Sequence, residues 1–336
     1  MKTHKQFFYC FLVCAFSFQL KASDLRFKEN GKFKIIQVTD SHIVADSITN
    51  SMESVSMLRQ VLDAEKPDLV IFTGDIVTGK PYKKGFEMII EPLLSRRIPF
   101  ATLLGNHDHE QDLSREEVGK YLMTFPGNLS RMEKVNGITG IGNYVLEIKD
   151  KKGHYRKTIL YCMDSNAYST IPGVNGYGWF TPDQVEWYRS QSNTYKADNR
   201  GVPVPALAFF HIPLLEYRQG YMDTTNVMIG THMEKACSPE INTGMFAAML
   251  MQGDVMGTFV GHDHVNDYIF NHYGIALAYG RFSGSKNTYT ELKNGVRVIE
   301  LTEDKPGFET WIRLDDKQVI HRLKFPEELP LSKRKK

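Results

Sequence analysis

The chain has 336 residues, 42% of them hydrophobic and 24% charged, with a formal net charge of +2. That length allows one or two domains, and the composition is ordinary for a globular protein with a large core. The near-neutral charge gives no basis for a nucleic-acid surface, and the four cysteines contain no Cys-x-x-Cys pair that would suggest a thiolate metal site.

Residues 1–22 read as a secretory signal peptide: Lys2 and Lys5, an apolar stretch over 7–20, then Ala22 and Ser23. The apolar stretch is shorter than the ~20 residues of a membrane span, although a retained anchor is the alternative. Cleavage near Ala22 predicts an exported protein, periplasmic or secreted, with no membrane span left. Lys2, Lys5 and Lys21 leave with the leader, and the net charge falls to −1. Cys10 and Cys14 leave too. Cys162 and Cys237 remain and are expected to be buried free thiols.

Residues 33–39 form a predicted strand ending at Asp40, Ser41 and His42. Met52, Val55, Leu58 and Leu62 recur at helical spacing over 51–65, and Pro67 ends that helix. Residues 68–73 are a second buried strand, ending at Gly74 and Asp75. A helix over 83–97 leads to a third strand over 98–104, followed by Gly105, Asn106, His107, Asp108 and His109. This alternation implies a largely parallel α/β core with right-handed crossovers.

Ser114 and Glu117 have capping-box spacing and predict a helix start. Residues 143–148 and 158–163 read as a hairpin. A Gly- and aromatic-rich loop follows over 173–180. Thr181 and Pro182 open another helix. The strand over 204–210 ends at His211. Residues 212–244 read as irregular. A helix over 246–251 precedes a strand over 255–260, which ends at Gly261, His262, Asp263 and His264. The remaining strands, 267–272, 275–279, 296–301 and 309–314, are expected to be antiparallel. One domain is expected over 23–325, with 326–336 a basic tail frayed into solvent.

Five strand ends thus carry metal-type groups: Asp40 and His42; Asp75; Asn106 and His107; His211; His262 and His264. Imidazole, carboxylate and amide without sulfur suit Mn, Fe, Zn, Co or Ni. A carboxylate such as Asp75 can bridge two ions, as in two-metal hydrolases. Each piece alone has a plain alternative in a turn, a cap or a satisfied histidine. All five after buried strands make coincidence a poor explanation.

The series Asp40-x-His42, Gly74-Asp75, Gly105-Asn106-His107-Asp108, His211 and Gly261-His262-x-His264 resembles the calcineurin-like metallophosphoesterase superfamily. The run 261–267, Tyr177-Gly178-Trp179 and Tyr279-Gly280-Arg281 resemble its purple-acid-phosphatase-related subgroup. The resemblance covers residues ~33–315. It implies a four-layer α/β/β/α sandwich with the active site at the C-terminal strand ends. It implies two divalent or mixed-valence transition-metal ions (Mn, Fe or Zn). Asp40, His42 and His264 hold one, Asn106, His211 and His262 the other, and Asp75 bridges them. His107 then faces the substrate, polarised by Asp108. One departure stands out: Thr78 occupies the position of the metal-binding tyrosine of purple acid phosphatases, so no tyrosinate-to-iron colour is expected.

The implied activity is hydrolysis of phosphoesters, foremost monoesters, on a phosphorylated small molecule or protein. A phosphodiesterase or nucleotide hydrolase with the same centre is the alternative, and a silent scaffold should lack ligands that are all present here. His109, Tyr177, Trp179 and Arg281 are either substrate contacts or core packing and a surface salt bridge.

Overall fold

The computed structural model describes residues 24–331. The first half runs β1 (Lys32–Val38), α1 (Ile48–Glu65), β2 (Leu69–Thr73), α2 (Tyr82–Arg96), β3 (Phe100–Leu103) and α3 (Arg115–Leu122). Next come β4 (Tyr144–Lys149), β5 (Arg156–Cys162), α4 (Pro182–Asp198), β6 (Ala206–Phe209), α5 (Leu215–Met222), β7 (Met228–Ile229) and α6 (Met245–Gln252). The chain closes with β8 (Val255–Val260), β9 (Ile269–His272), β10 (Ile275–Tyr279), β11 (Gly295–Thr302), β12 (Phe308–Leu314) and β13 (Val319–Phe325).

The strands make two sheets, in the orders β13-β12-β11-β1-β2-β3 and β4-β5-β6-β8-β10-β9-β7. Strands β1, β2 and β3 are parallel, as are β5, β6, β8 and β10. The parallel strands of each sheet therefore deliver their C-terminal ends to one edge, where open α/β sheets place ligands.

Side-chain alternation builds the layers. On β5 and β6, Leu160, Cys162, Leu207 and Phe209 join the core shared with the first sheet and its helices α1 and α2. Their neighbours Ile159, Tyr161, Ala206 and Ala208 join a second core with Tyr188 of α4, Tyr217 of α5 and Met249 of α6. Two sheets face each other and helices cover both outer faces: a four-layer α/β/β/α sandwich, as expected.

The capping box at Ser114 forms, with Glu117 reaching back to the Ser114 N–H. The hairpin of β4 and β5 also forms. Four expectations fail. Residues 212–244 are not irregular throughout: α5 lies there, because Tyr217 plugs between the sheet and the helix layer with its hydroxyl on Thr258 and Ala278. Strand β10 is antiparallel to β9 but parallel to β8, because the turn at Tyr273-Gly274 reverses the chain. Strand β13, unforeseen, pairs with β12. The segment after it does not fray at once: Leu329 is buried and its carbonyl accepts from Asn271.

Among the described residues both cysteines are free, Cys162 buried and Cys237, against expectation, only half-buried. The leader expected over 1–22 and the basic end 333–336 lie outside the described residues.

Candidate metal centre

Each donor follows directly on the end of a strand: Asp40 and His42 after β1, Asp75 after β2, Asn106 after β3, His211 after β6, His262 and His264 after β8. Extended chain would send alternate side chains to opposite faces. The backbone instead turns left-handed at Asp40, His42, Asp75 and His262, with φ of 53°, 43°, 48° and 80°. Such conformations cost about 1–3 kcal/mol each and gather where function over-determines them. Two glycines permit the close approach. A Cβ on Gly105 would collide with Asp75 Oδ1, and one on Gly261 would collide with the Thr39 hydroxyl and stand 2.6 Å from Asp40 Oδ2.

The donors form two buried groups, Asp40 with His42 and His264, and Asp75 with His211 and His262. Within each, the ligand atoms lie within 4.8 Å of one another. Asp75 serves both. Its Oδ1 accepts the His107 N–H at 2.8 Å, which leaves Oδ2 3.1 Å from His211 Nε2 and 3.9 Å from His42 Nε2. Asn106 belongs to the second group, with Oδ1 3.1 Å from His211 Nε2.

Hydrogen bonding shows what the groups are built to hold. His211 Nδ1 faces the Thr73 carbonyl at 2.8 Å, and His264 Nδ1 the Tyr289 carbonyl at 3.0 Å. Carbonyls only accept, so Nδ1 carries the proton in both rings and Nε2 of the neutral ring bears a lone pair. The lone pair of His211 converges with Asn106 Oδ1, Asp75 Oδ2 and, at 3.3 Å, His262 Nδ1. That of His264 converges with His42 Nε2 at 3.0 Å and Asp40 Oδ1 at 3.8 Å. Lone pairs crowded in a dry cleft repel unless positive charge sits among them. Two cations with nitrogen and oxygen preference fit these residues.

The titration behaviour agrees. Burial pushes His42 down to about 3 and His264 down to about 4, and it holds His262 well below the usual range with the His211 charge adding to it. These rings stay neutral, as ligands must. Burial, reinforced by the Asp75 charge, pushes Asp40 up to about 7. Burial also opposes the Asp75 charge, but His211 and His42 outweigh it and hold that carboxyl well below its usual range. His211 runs against burial too: Asp75 outweighs it and brings the imidazole up to about 9. A proton at His211 and an ion among the lone pairs are alternative answers to the same negative potential.

The structure redistributes the remaining roles. His107 lies beside the first group, its ring centroid 5.8 Å from that of His42. Its partner is not Asp108. The Asp108 carboxylate is buried and spent on three backbone N–H groups, those of Ile76, Val77 and Gly105, which shape the loops bearing Asp75 and Asn106. Glu110 takes the place assigned to Asp108, with Oε2 2.5 Å from His107 Nδ1. Burial lowers the His107 pKa, but Asp75 and Glu110 outweigh it and the pKa is raised.

Arg281 is not a substrate contact: it is 3% exposed and paired to Asp267 at 2.6 Å. His109 is half-buried beside Arg115, which is tied to Asp164 and the Gly105 carbonyl. The Trp179 carbonyl holds Asn166. Tyr177 does approach the centre, edge-on to His262 at 4.2 Å.

Glu110, Tyr168 and Tyr289 were not anticipated. Tyr168 bonds Asn106 and Glu110, and Tyr289 stacks on His264 at 4.3 Å. Glu110 was findable as an acid three residues from His107. The two tyrosines lie on distant loops with no local signal.

A family model described as calcineurin-like phosphoesterase matches residues 33–266. An Arabidopsis thaliana protein named "Probable inactive purple acid phosphatase 29" is 33% identical over 334 residues, 88% of this chain and 85% of its own. "Phosphatase DCR2" of Saccharomyces cerevisiae is 28% identical over 328 residues, 88% of this chain and 56% of that protein. A dimetal phosphatase structure from Danio rerio shares the fold at a TM-score of 0.59 and 12% identity, over 87% of this chain and 98% of that one.

Proposed function

Because the chain belongs to the calcineurin-like phosphoesterase family, we propose that it hydrolyses phosphomonoesters at a binuclear metal centre. The observation that carries this reading is the placement of Asp75 Oδ2 between two converging sets of lone pairs. Asp40, His42 and His264 would hold one ion, Asn106, His211 and His262 the other, with Asp75 shared. Two such ions supply Lewis-acid charge to a phosphoryl group and lower the pKa of an attacking water.

The chain's own residues do the rest. Asp75 and Asp40 set the negative potential that holds the charge in place. The His107 Nδ1–H is committed to Glu110, which leaves Nε2 for the substrate. A protonated His107 there stabilises the phosphoryl oxygens or gives its proton to the leaving alcohol. His42 supplies a nitrogen to a centre that has Thr78 where purple acid phosphatases carry tyrosine, so the protein should be colourless to tyrosinate charge transfer.

The substrate is a phosphorylated small molecule or protein, met outside the cytoplasm. Support for export is the basic, apolar, small-residue order of residues 1–23. No helix among the described residues is long and apolar enough to cross a membrane.

Metal analysis of purified protein beside a panel of mono- and diesters tests the reading. Two ions per chain with monoester turnover is the expected result. Preference for diesters would move the assignment to a phosphodiesterase. Two ions without any turnover would make the chain a binding scaffold, in line with the word "inactive" in the name of its Arabidopsis relative.

A further inference from the structure

Glu110 stands at the head of a directed chain of hydrogen bonds. Its Oε2 accepts from His107 Nδ1 at 2.5 Å, and its Oε1 accepts from the Tyr168 hydroxyl at 2.7 Å. Tyrosine has one hydroxyl proton. Once that proton is given to Glu110, the Tyr168 oxygen can only accept, and it does so from Asn106 Nδ2 at 3.1 Å. The opposite end of the same amide, Oδ1, is thereby turned to His211 Nε2 at 3.1 Å. The loop itself is stapled by Tyr82, whose hydroxyl donates to the His107 carbonyl at 2.6 Å and accepts from the Glu110 N–H at 2.8 Å.

We propose that Glu110 is a positioning residue that fixes the tautomer of His107 and, through Tyr168, decides which end of the Asn106 amide faces the metal centre. An amide turned the other way would point N–H groups at a cation and cease to be a ligand. An imidazole with no carboxylate behind Nδ1 would hold the Nε2 proton it must give for less of the time. One carboxylate outside both donor groups thus keeps a ligand and a substrate-facing histidine in register. Its consequence for catalysis rests on the phosphoesterase reading; the geometry does not.

Three variants of the full chain separate the two arms. Glu110→Ala removes both. Tyr168→Phe removes only the Asn106 arm. Glu110→Gln keeps an acceptor for His107 Nδ1–H, but its amide N–H group meets Tyr168 and frees that hydroxyl to donate to Asn106 Oδ1. Glu110 and Tyr168 are both exposed, so none of these changes opens a core cavity.

The readouts are the ¹⁵N shifts of His107 and a calorimetric Zn²⁺ titration of the metal-stripped protein. Glu110→Ala should lose the Nδ1–H tautomer and bind the weaker ion ~10–100-fold less tightly. Tyr168→Phe and Glu110→Gln should keep the tautomer yet show the weaker binding. With turnover of an alkyl phosphate, Glu110→Ala should lower kcat ~10-fold or more. Glu110→Ala with the wild-type tautomer and wild-type Zn²⁺ affinity would overturn the proposal. A wild-type chain that hydrolyses no ester would overturn the phosphoesterase reading instead, while shifts and titration still judge Glu110.

Discussion

Asp75 and His211 meet through one oxygen and one nitrogen, Oδ2 to Nε2 at 3.1 Å, and the other polar atom of each is already committed to backbone. Asp75 Oδ1 takes the His107 N–H and His211 Nδ1 gives to Thr73. Neither side chain can turn away without leaving a buried backbone group unpaired, a cost of about 1–3 kcal/mol. The pair is therefore preorganised to share positive charge, from a proton or from a cation.

Asp75→Asn should strip or scramble both ions, since the charged oxygen shared by the two groups is gone. His42→Ala should affect mainly one. Metal content after exhaustive dialysis decides this. Two ions per chain retained by Asp75→Asn would refute a shared ligand.

His107→Ala should keep its metals and lose rate by ~10²–10⁴-fold, the usual contribution of a positioned acid. The loss should be smaller for nitrophenyl phosphate, whose leaving group needs little protonation. Equal losses on nitrophenyl and alkyl phosphates would assign His107 to stabilising phosphoryl charge. No loss at all would remove it from the chemistry.

Arg281→Ala should destabilise the fold without changing KM. It strands Asp267, a fully buried carboxylate that also accepts from Thr231. Breaking one partner of a buried pair costs about 3–5 kcal/mol. Denaturant titration measures this. A raised KM at unchanged stability would restore Arg281 as a substrate contact.

Gly261→Ala should weaken both stability and metal binding. The new methyl meets the Thr39 hydroxyl, which donates to Asp40 Oδ2 at 2.8 Å. Overpacking of this kind costs about 1–3 kcal/mol. A variant with wild-type melting temperature and metal content would show that the loop yields freely.

Glu65 makes part of the stability acid-sensitive. Burial raises its pKa, but bonds from Lys34, Trp311 and Arg313 outweigh burial and the folded value lies below the ordinary 4.5. A depressed carboxyl stabilises above its unfolded pKa and is lost as pH falls through the folded one. Glu65→Gln should therefore flatten the decline in stability below pH 4.5. An unchanged acid limb would put that sensitivity elsewhere.

The sequence by itself determined the layered α/β plan and where the donors would gather. Buried strands show as unbroken apolar runs such as 69–73, and polar groups at their ends must lie at one sheet edge when the strands are parallel. Asp40, Asp75, Asn106, His211 and His262 were legible for that reason. Direction and partnership were not. The parallel course of β10 depends on a turn that reverses the chain, and Tyr217 makes a helix useful where local spacing shows none. Asp108 and Glu110 are both acids close to His107, and nothing local says which reaches its ring. The tertiary structure chose between them by hydrogen-bond demand: the loops carrying Asp75 and Asn106 present three buried N–H groups that Asp108 accepts, and the carboxylate at the His107 ring is Glu110.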